Sequence, residues 1–462
     1  MRFIVSVLFL VALFASAPSL RADDKPISYF HDVRPILMSN CNACHKPEKL
    51  KGELDLTAVS LMLKGGKHGP AVIPGNTSKS KMIEMISGDD PDMPKDADPL
   101  QPVQVSLITR WIQQGAADDT PKVGETKIEP PVYSLPPVVT AMAYSPDGAL
   151  LAVAGYHEVL LHKSDGSEIL ARLTGEAPRI ESIAFSRDGK LMADCGGSPG
   201  EFGLVQIWNV ADRKLHKGYE ISGDSLYGIS IAPDSKTVAF GGADKIVHRI
   251  DIETGKELLD FKAHADWVLG TCFTLDGKQL VSAGRDKAMK LIDLDSGRFV
   301  DDINNPLEAC LCIARNPKQE QVLYGGDLGA ARLYKISDNQ GRTSGRNDTN
   351  LIRAFEKQAG PVTAVAFAPD GNEVALGSMN DVNVYAAGDG KKLHTLSGEQ
   401  GPVFAICYKP DGKQIAVAGY DGMVRLYDAK AGNLVRQFLS VPVTKPPTTK
   451  PAETRPAQAS AN

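Results

Sequence analysis

From about residue 136 onward, apolar side chains alternate with small or polar ones in short runs, and the runs themselves recur. The markers are seven four-residue turns. They begin with Ser145-Pro146-Asp147-Gly148, Ser186-Arg187-Asp188-Gly189, Ala232-Pro233-Asp234-Ser235 and Thr274-Leu275-Asp276-Gly277. Asn316-Pro317-Lys318-Gln319, Ala368-Pro369-Asp370-Gly371 and Lys409-Pro410-Asp411-Gly412 complete the set. Their third positions lie 41, 46, 42, 42, 52 and 41 residues apart. That period suits a four-stranded unit that buries its faces only against its neighbours. Eight residues before each third position stand Val139, Ile180, Leu226, Val268, Cys310, Val362 and Val403. The positions six and four before it hold small residues throughout, for example Gly228 and Ser230, Gly270 and Cys272, Ala405 and Cys407. Alternate positions on a strand share a face. The pattern therefore predicts an innermost strand in each unit whose small side chains let adjacent units crowd together. Later strands end in His162, Trp208, Ile250, Ile292, Tyr334, Tyr385 and Tyr427. The expectation is an all-β seven-bladed propeller over residues 136–440.

Residues 27–117 follow a different period. Phe30, Val33, Ile36 and Leu37 recur at helical spacing. Asn76-Thr77-Ser78 offers caps for a helix through Met82, Ile83 and Ile86, which Gly88 stops. Pro102 can open a last helix carrying Val105, Ile108, Trp111 and Ile112, with Gly115 closing it. This predicts a small all-α domain over 23–120. Residues 121–135, rich in proline, read as a linker. The tail, 441–462, carries Lys445-Pro446-Pro447-Thr448 and little apolar content, and is expected to be disordered.

The small domain carries the chemistry. Cys41-Asn42-Ala43-Cys44-His45 is the attachment signature of a c-type haem. Thiols at i and i+3 can each add across a vinyl group, and the histidine at i+4 then lies under the iron. A structural zinc site would need four ligands, and no second Cys/His pair of finger spacing exists. A thioredoxin-like pair would need a βαβ surround. The iron's sixth position has four candidates: Met82, Met85, Met93 and His68. Met82 and Met85 fall in a helical pattern and read as core. His68 lies in a glycine-rich loop. Met93 stands before Pro94 in an irregular segment that can carry a thioether to the distal face.

These residues resemble a family. Cys41 to His45, Gly65-Gly66, Gly69-Pro70-Ala71-Val72-Ile73-Pro74-Gly75, Ser80, Met93-Pro94 and Trp111-Ile112 with Gly115-Ala116 look like the planctomycete-type cytochrome c domain. The resemblance implies one covalent haem c on Cys41 and Cys44, His45 as proximal ligand and Met93 as distal ligand. Lys95 stands where a second proline is common in that family. The repeats are similar to the WD40 family in period, turn and aromatic strand end. Only Trp208-Asn209 approaches the Trp-Asp dipeptide and only Ala263-His264 the Gly-His one, so the family's usual His/Asp hydrogen-bond network is expected to be mostly absent.

Composition and the N-terminus narrow the setting. Hydrophobic residues make up 42% and the net charge is -5, which argues against a nucleic-acid partner. Met1-Arg2 precedes an apolar run from Phe3 to Phe14, with cleavage favoured after Ala22. Residues 1–22 thus read as a signal peptide, and the chain as exported to the periplasm with no later membrane span. An uncleaved segment would anchor it. Cys195, Cys272, Cys310, Cys312 and Cys407 fall in the small or apolar slots of the repeat and read as packing residues. Insertions at Ser198–Gly203 and Ser337–Asn350 break the repeat. The expected function is electron transfer to an unidentified redox partner protein, with the propeller as a docking module for a protein ligand. The alternative is a multidomain oxidoreductase whose propeller holds a substrate site. The histidines of the repeats occupy different positions and suggest no common centre.

Overall fold

The computed structural model describes residues 25–42, 44–46, 49–95, 97–120, 124, 128–304, 307–336 and 348–444. The expected signal peptide, the bulk of the second insertion and the tail beyond residue 444 lie outside them. The chain divides into two units, Met1–Pro121 and Lys122–Asn462.

In the first unit a single π-helical turn, Tyr29–Val33, leads into α1, Arg34–Asn40. The wider turn shifts the buried register by one residue. Tyr29 is therefore the buried aromatic and Phe30 is half-buried. Then follow α2 (Val59–Lys64), α3 (Lys81–Ile86) and α4 (Pro102–Gln113). Asn76 caps a separate 3-10 turn, Thr77–Lys79, by accepting from the Lys79 N–H at 3.1 Å, and α3 starts afresh after Ser80. Pro102 opens α4 as expected, and Gln104 accepts from the Gln101 N–H at 2.9 Å. Trp111 on α4 packs against Tyr29, ring centroids 5.4 Å apart. Between α2 and α3 the chain doubles back at Gly65, where φ is +75° and a Cβ would lie 2.0 Å from the Gly69 carbonyl oxygen. Only glycine fits there.

The second unit is built from antiparallel meanders. Five sheets have four consecutive strands each, and a sixth has seven. In the sixth, the 17-residue strand Ile169–Phe185 pairs through its first half with Tyr156–Lys163 and through its second half with Leu191–Ser198. Two four-stranded meanders thus share one long strand. The inner strands are Met142–Tyr144, the second half of Ile169–Phe185, Leu226–Ile231, Val268–Phe273, Cys310–Arg315, Ala364–Phe367 and Val403–Tyr408. Each packs on the next, and Val403–Tyr408 packs on Met142–Tyr144, so the succession closes on itself. Small residues permit this crowding. A Cβ on Gly228 would lie 2.4 Å from the Gly270 Cα of the neighbouring inner strand. The first insertion lengthens a hairpin, with Ser198 still paired to Phe202.

Two segments depart from expectation. Residues 128–135, read as linker, include Tyr133, which is 7% exposed and packs with Leu160 and Val441. Tyr133 donates to Glu158 at 2.7 Å, and its backbone bridges Val443. Residues 441–444, read as the start of a disordered tail, are therefore folded. One tyrosine and two valines bury enough apolar surface to hold both segments on the first meander.

Candidate functional site

The C-terminus of α1 delivers the haem signature. The N–H groups of Cys41 and Asn42 both donate to the Leu37 carbonyl, at 2.8 and 3.0 Å, which ends the helix. The chain then folds back on itself: Cys44 N–H and His45 N–H donate to the Cys41 carbonyl at 3.0 and 3.1 Å. The backbone N–H groups of Cys44 and His45 thus converge on the Cys41 carbonyl, in a turn that follows the helix and not in a continuation of it. His45 lies in a two-residue strand, His45–Lys46, paired with Lys49–Leu50. Its carbonyl accepts from Leu56 N–H at 2.9 Å, and the Cys44 carbonyl accepts from Lys51 N–H at 3.1 Å. Four backbone hydrogen bonds therefore fix a segment too short to have a core of its own.

The side chains at this turn are uncommitted. Cys41 and Cys44 are free thiols. Burial pushes the Cys41 thiol up to about 11, which is opposite to the lowered pKa of a reactive dithiol pair. The His45 Nδ1 and Asn42 Oδ1 atoms are buried without a hydrogen-bond partner among the described residues. A buried polar atom left unpaired is costly. Among the described residues no three His, Cys, Asp or Glu side chains converge as a metal ion alone would require. This donor set, two unbridged thiols and an imidazole whose Nδ1 has no hydrogen-bond partner among the described residues, suits a group that takes covalent bonds at sulfur and one coordinate bond at nitrogen. The residues present fit a haem.

Of the four candidates for the opposite ligand, the structure separates three from one another. His68 is exposed at the tip of the turn closed between Gly66 and Gly69. Met82 is 7% exposed and belongs to the core of the first unit. Met93 is half-buried in the loop after α3, its N–H donating to the Met85 carbonyl at 2.9 Å, and it packs against the same core as Cys41. Met85 is half-buried on α3. The sequence offered no signal for Leu37, Lys51 and Leu56, whose backbones hold the turn, because backbone partners leave no trace in residue type.

The cysteines of the second unit are free as well. Burial raises the thiols of Cys272, Cys312 and Cys407 to about 12, and those of Cys195 and Cys310 further. They are packing residues of the inner and second strands.

Residues 41–96 match the family described as Planctomycete cytochrome C. Residues 255–293 and 390–428 each match the WD domain, G-beta repeat. The chain thus joins a planctomycete-type cytochrome c segment to WD40-type repeats, as its motifs predict. It is also similar to Protein groucho of Drosophila melanogaster, 30% identical over 132 residues, which are 28% of this chain and 17% of that protein. The chain therefore covers well under two thirds of that relative's length.

Proposed function

We propose that this protein is an exported c-type cytochrome that carries one covalent haem on Cys41 and Cys44 and transfers electrons to or from a protein partner. In this reading His45 and Met93 are the axial ligands, and a seven-bladed WD40-like propeller docks the partner. The observation that carries it is the turn at the end of α1, where the backbone of Cys44 and His45 closes on the Cys41 carbonyl, both thiols are unbridged, and His45 Nδ1 is buried with no hydrogen-bond partner among the described residues. When bound, haem supplies a one-electron couple, and a thioether ligand raises its potential. The chain's own part is to orient and to cover. The hydrogen bonds from Lys51 and Leu56 hold Cys44 and His45 in place, and Met93 packs on the same core as Cys41. With both axial positions taken, an electron carrier is favoured over a catalyst that must leave one open. The closed succession of inner strands supports the propeller. Export is supported by the Phe3–Phe14 apolar run ahead of Ala22, and by attachment of c-type haem outside the cytoplasm. Among the described residues no helix is long and apolar enough to cross a membrane.

The test is acid-acetone extraction of the protein purified from an exporting host. Haem is expected to stay with the denatured chain, and to be lost from a Cys41→Ser, Cys44→Ser double variant. Complete extraction from the parent protein would overturn the covalent reading.

A further inference from the structure

The inner strands of the second unit surround a cavity of about 450 Å³, within the size range of small-molecule sites. Four of these strands carry a β-bulge at one shared register position. Pairing slips between Ile180 and Ser182, Val268 and Gly270, Cys310 and Cys312, and Val403 and Ala405. The extra residues are Glu181, Leu269, Leu311 and Phe404, and all four line the cavity. A bulge re-aims the side chain at which it occurs. Tyr227 stands at the corresponding position of its strand, also beside a slip in pairing, and lines the cavity too. Two residues further along come Ile183, Ile229, Ile313 and Ile406, which give the cavity an apolar layer.

Most polar groups at the bulge level are already engaged. The hydroxyls of Thr140 and Thr363 donate to the Ile180 and Val403 carbonyls of adjacent inner strands. Glu181 is the carboxylate of the lining, and its side chain is only 14% exposed. Burial raises its pKa, while nearby Arg179 acts in the opposite direction. Arg179 pairs with it at 2.7 Å but is 64% exposed. Both residues line the cavity, and the guanidinium is the more exposed of the pair. Exchanging one cation for another leaves the buried carboxylate paired, so the cost of an uncompensated buried charge is not incurred.

We propose that this cavity binds an alkylammonium ion. The ammonium takes the place of Arg179 on Glu181, and the alkyl body lies against Tyr227, Phe404 and the isoleucine layer. The aromatic faces attract a cation, and a partly desolvated carboxylate attracts it more strongly than one in water. The ammonium can come from a free amine or from a lysine side chain of a partner. Nothing in this inference depends on the haem.

Isothermal titration of the full chain with n-butylammonium, butan-1-ol and butyrate tests it. The cation should bind at least about tenfold tighter than either of the others. Glu181→Gln should lose at least about tenfold in affinity for it, with an unchanged melting curve as the control for folding. Arg179→Ala removes the competing cation and should bind n-butylammonium as tightly or more tightly. A Gly-Gly-Lys-Gly-Gly peptide that binds tighter than n-butylammonium assigns the ammonium to a partner lysine, and weaker binding assigns it to a free amine. The proposal is overturned by equal binding of the three small probes, by binding of none, or by a Glu181→Gln variant that binds like the parent.

Discussion

His162 is 1% exposed, and its Nε2 donates to the Ser440 carbonyl at 3.0 Å. Burial pulls its pKa down from 6.5 to about 4, with the Ser440 bond acting in the opposite direction. The unfolded chain therefore binds the extra proton first. The contribution of His162 to stability is complete above pH 6.5 and is lost as the pH falls toward 4. His248 has the opposite sign. Desolvation lowers its pKa, but hydrogen bonds to Asp244 and Glu257, both at 3.0 Å, outweigh this and raise it to about 9. Its contribution is complete below pH 6.5 and is lost as the pH rises through 9. Melting followed from pH 4 to pH 9 should show an acid limb from His162, set against Asp194 and Glu399, which burial raises to about 7 and which act in the opposite direction, and an alkaline limb from His248. His162→Gln should flatten the acid limb, which amounts to roughly 3 kcal/mol for a group shifted this far. An acid limb unchanged in the variant would refute the assignment. In the first unit, Met93→Ala should abolish the far-red absorption band of a Met-ligated ferric haem and let added imidazole bind. If Met82→Ala or His68→Ala does this and Met93→Ala does not, the ligand is another residue. Cys41, Cys44 and His45 were legible in the sequence because the haem attachment proposed for them demands those residue types at that spacing. The place of Glu181 in the cavity lining was not, because it follows from a bulge that residue types do not announce.

At the scale of elements, the repeated turn shows why one pattern was visible and another hidden. In six turns the third residue's carboxylate or its neighbours close the corner: Asp147, Asp188, Asp234, Asp276, Asp370 and Asp411 each accept from the N–H two residues on, at 2.9 to 3.1 Å. In the remaining turn Lys318 holds that place, and Asn316, at the first position, takes over. Its Oδ1 accepts from Lys318 and Gln319, and its Nδ2 donates to Gln321 and to the Gly371 carbonyl of the next sheet. Asn316 is fully buried, whereas Asp411 is exposed. Denaturant unfolding should therefore show Asn316→Ala costing about 2–3 kcal/mol and Asp411→Ala about 1 kcal/mol. Equal costs would mean that the bond across sheets contributes nothing. The buried polar pairs near the other ends of the strands were harder to read. His264 bonds Asp286 and Ser282, but elsewhere Arg332 with Glu308 and Arg425 with Glu399 and Asp421 occupy comparable places between sheets. Only the first is made of the residue types that the WD40 resemblance leads one to expect. Charge complementarity can be met by several residue pairs, so no single motif marks it.

At the scale of the whole molecule, the ring of inner strands is held shut by chain ends. Val139 N–H donates to the Gly419 carbonyl at 3.0 Å, Tyr133 bridges Val443, and Val441 is 2% exposed. A fragment of residues 136–440 would lose Tyr133 and Val441 together. It should melt several degrees below a fragment of residues 128–444, since even 1–2 kcal/mol moves the midpoint of a large domain by that much. Identical melting would show that the clasp is ornamental. Residues 23–120 expressed alone should fold and take haem, because the core from Tyr29 to Ala116 is internal to the first unit. Fragment 128–444 should fold without haem and show no redox activity. Turnover by it would favour an oxidoreductase in which the propeller holds the substrate.

The sequence by itself determined what depends on local chemistry and period. It set the haem signature, the cap and stop residues of α4, the spacing of the turns and the small residues of the inner strands. Each follows from bonding or steric rules that act within a few residues or repeat at a fixed interval. Only the tertiary structure decided which residues meet across long separations: Tyr133 with Val443, His162 with Ser440, Cys41 and Met93 on one core, and Glu181, Tyr227 and Phe404 around one cavity. Such contacts are set by the closure of the ring and by bulges that turn a side chain to the opposite face. A one-residue slip in register changes the partner without changing the local pattern.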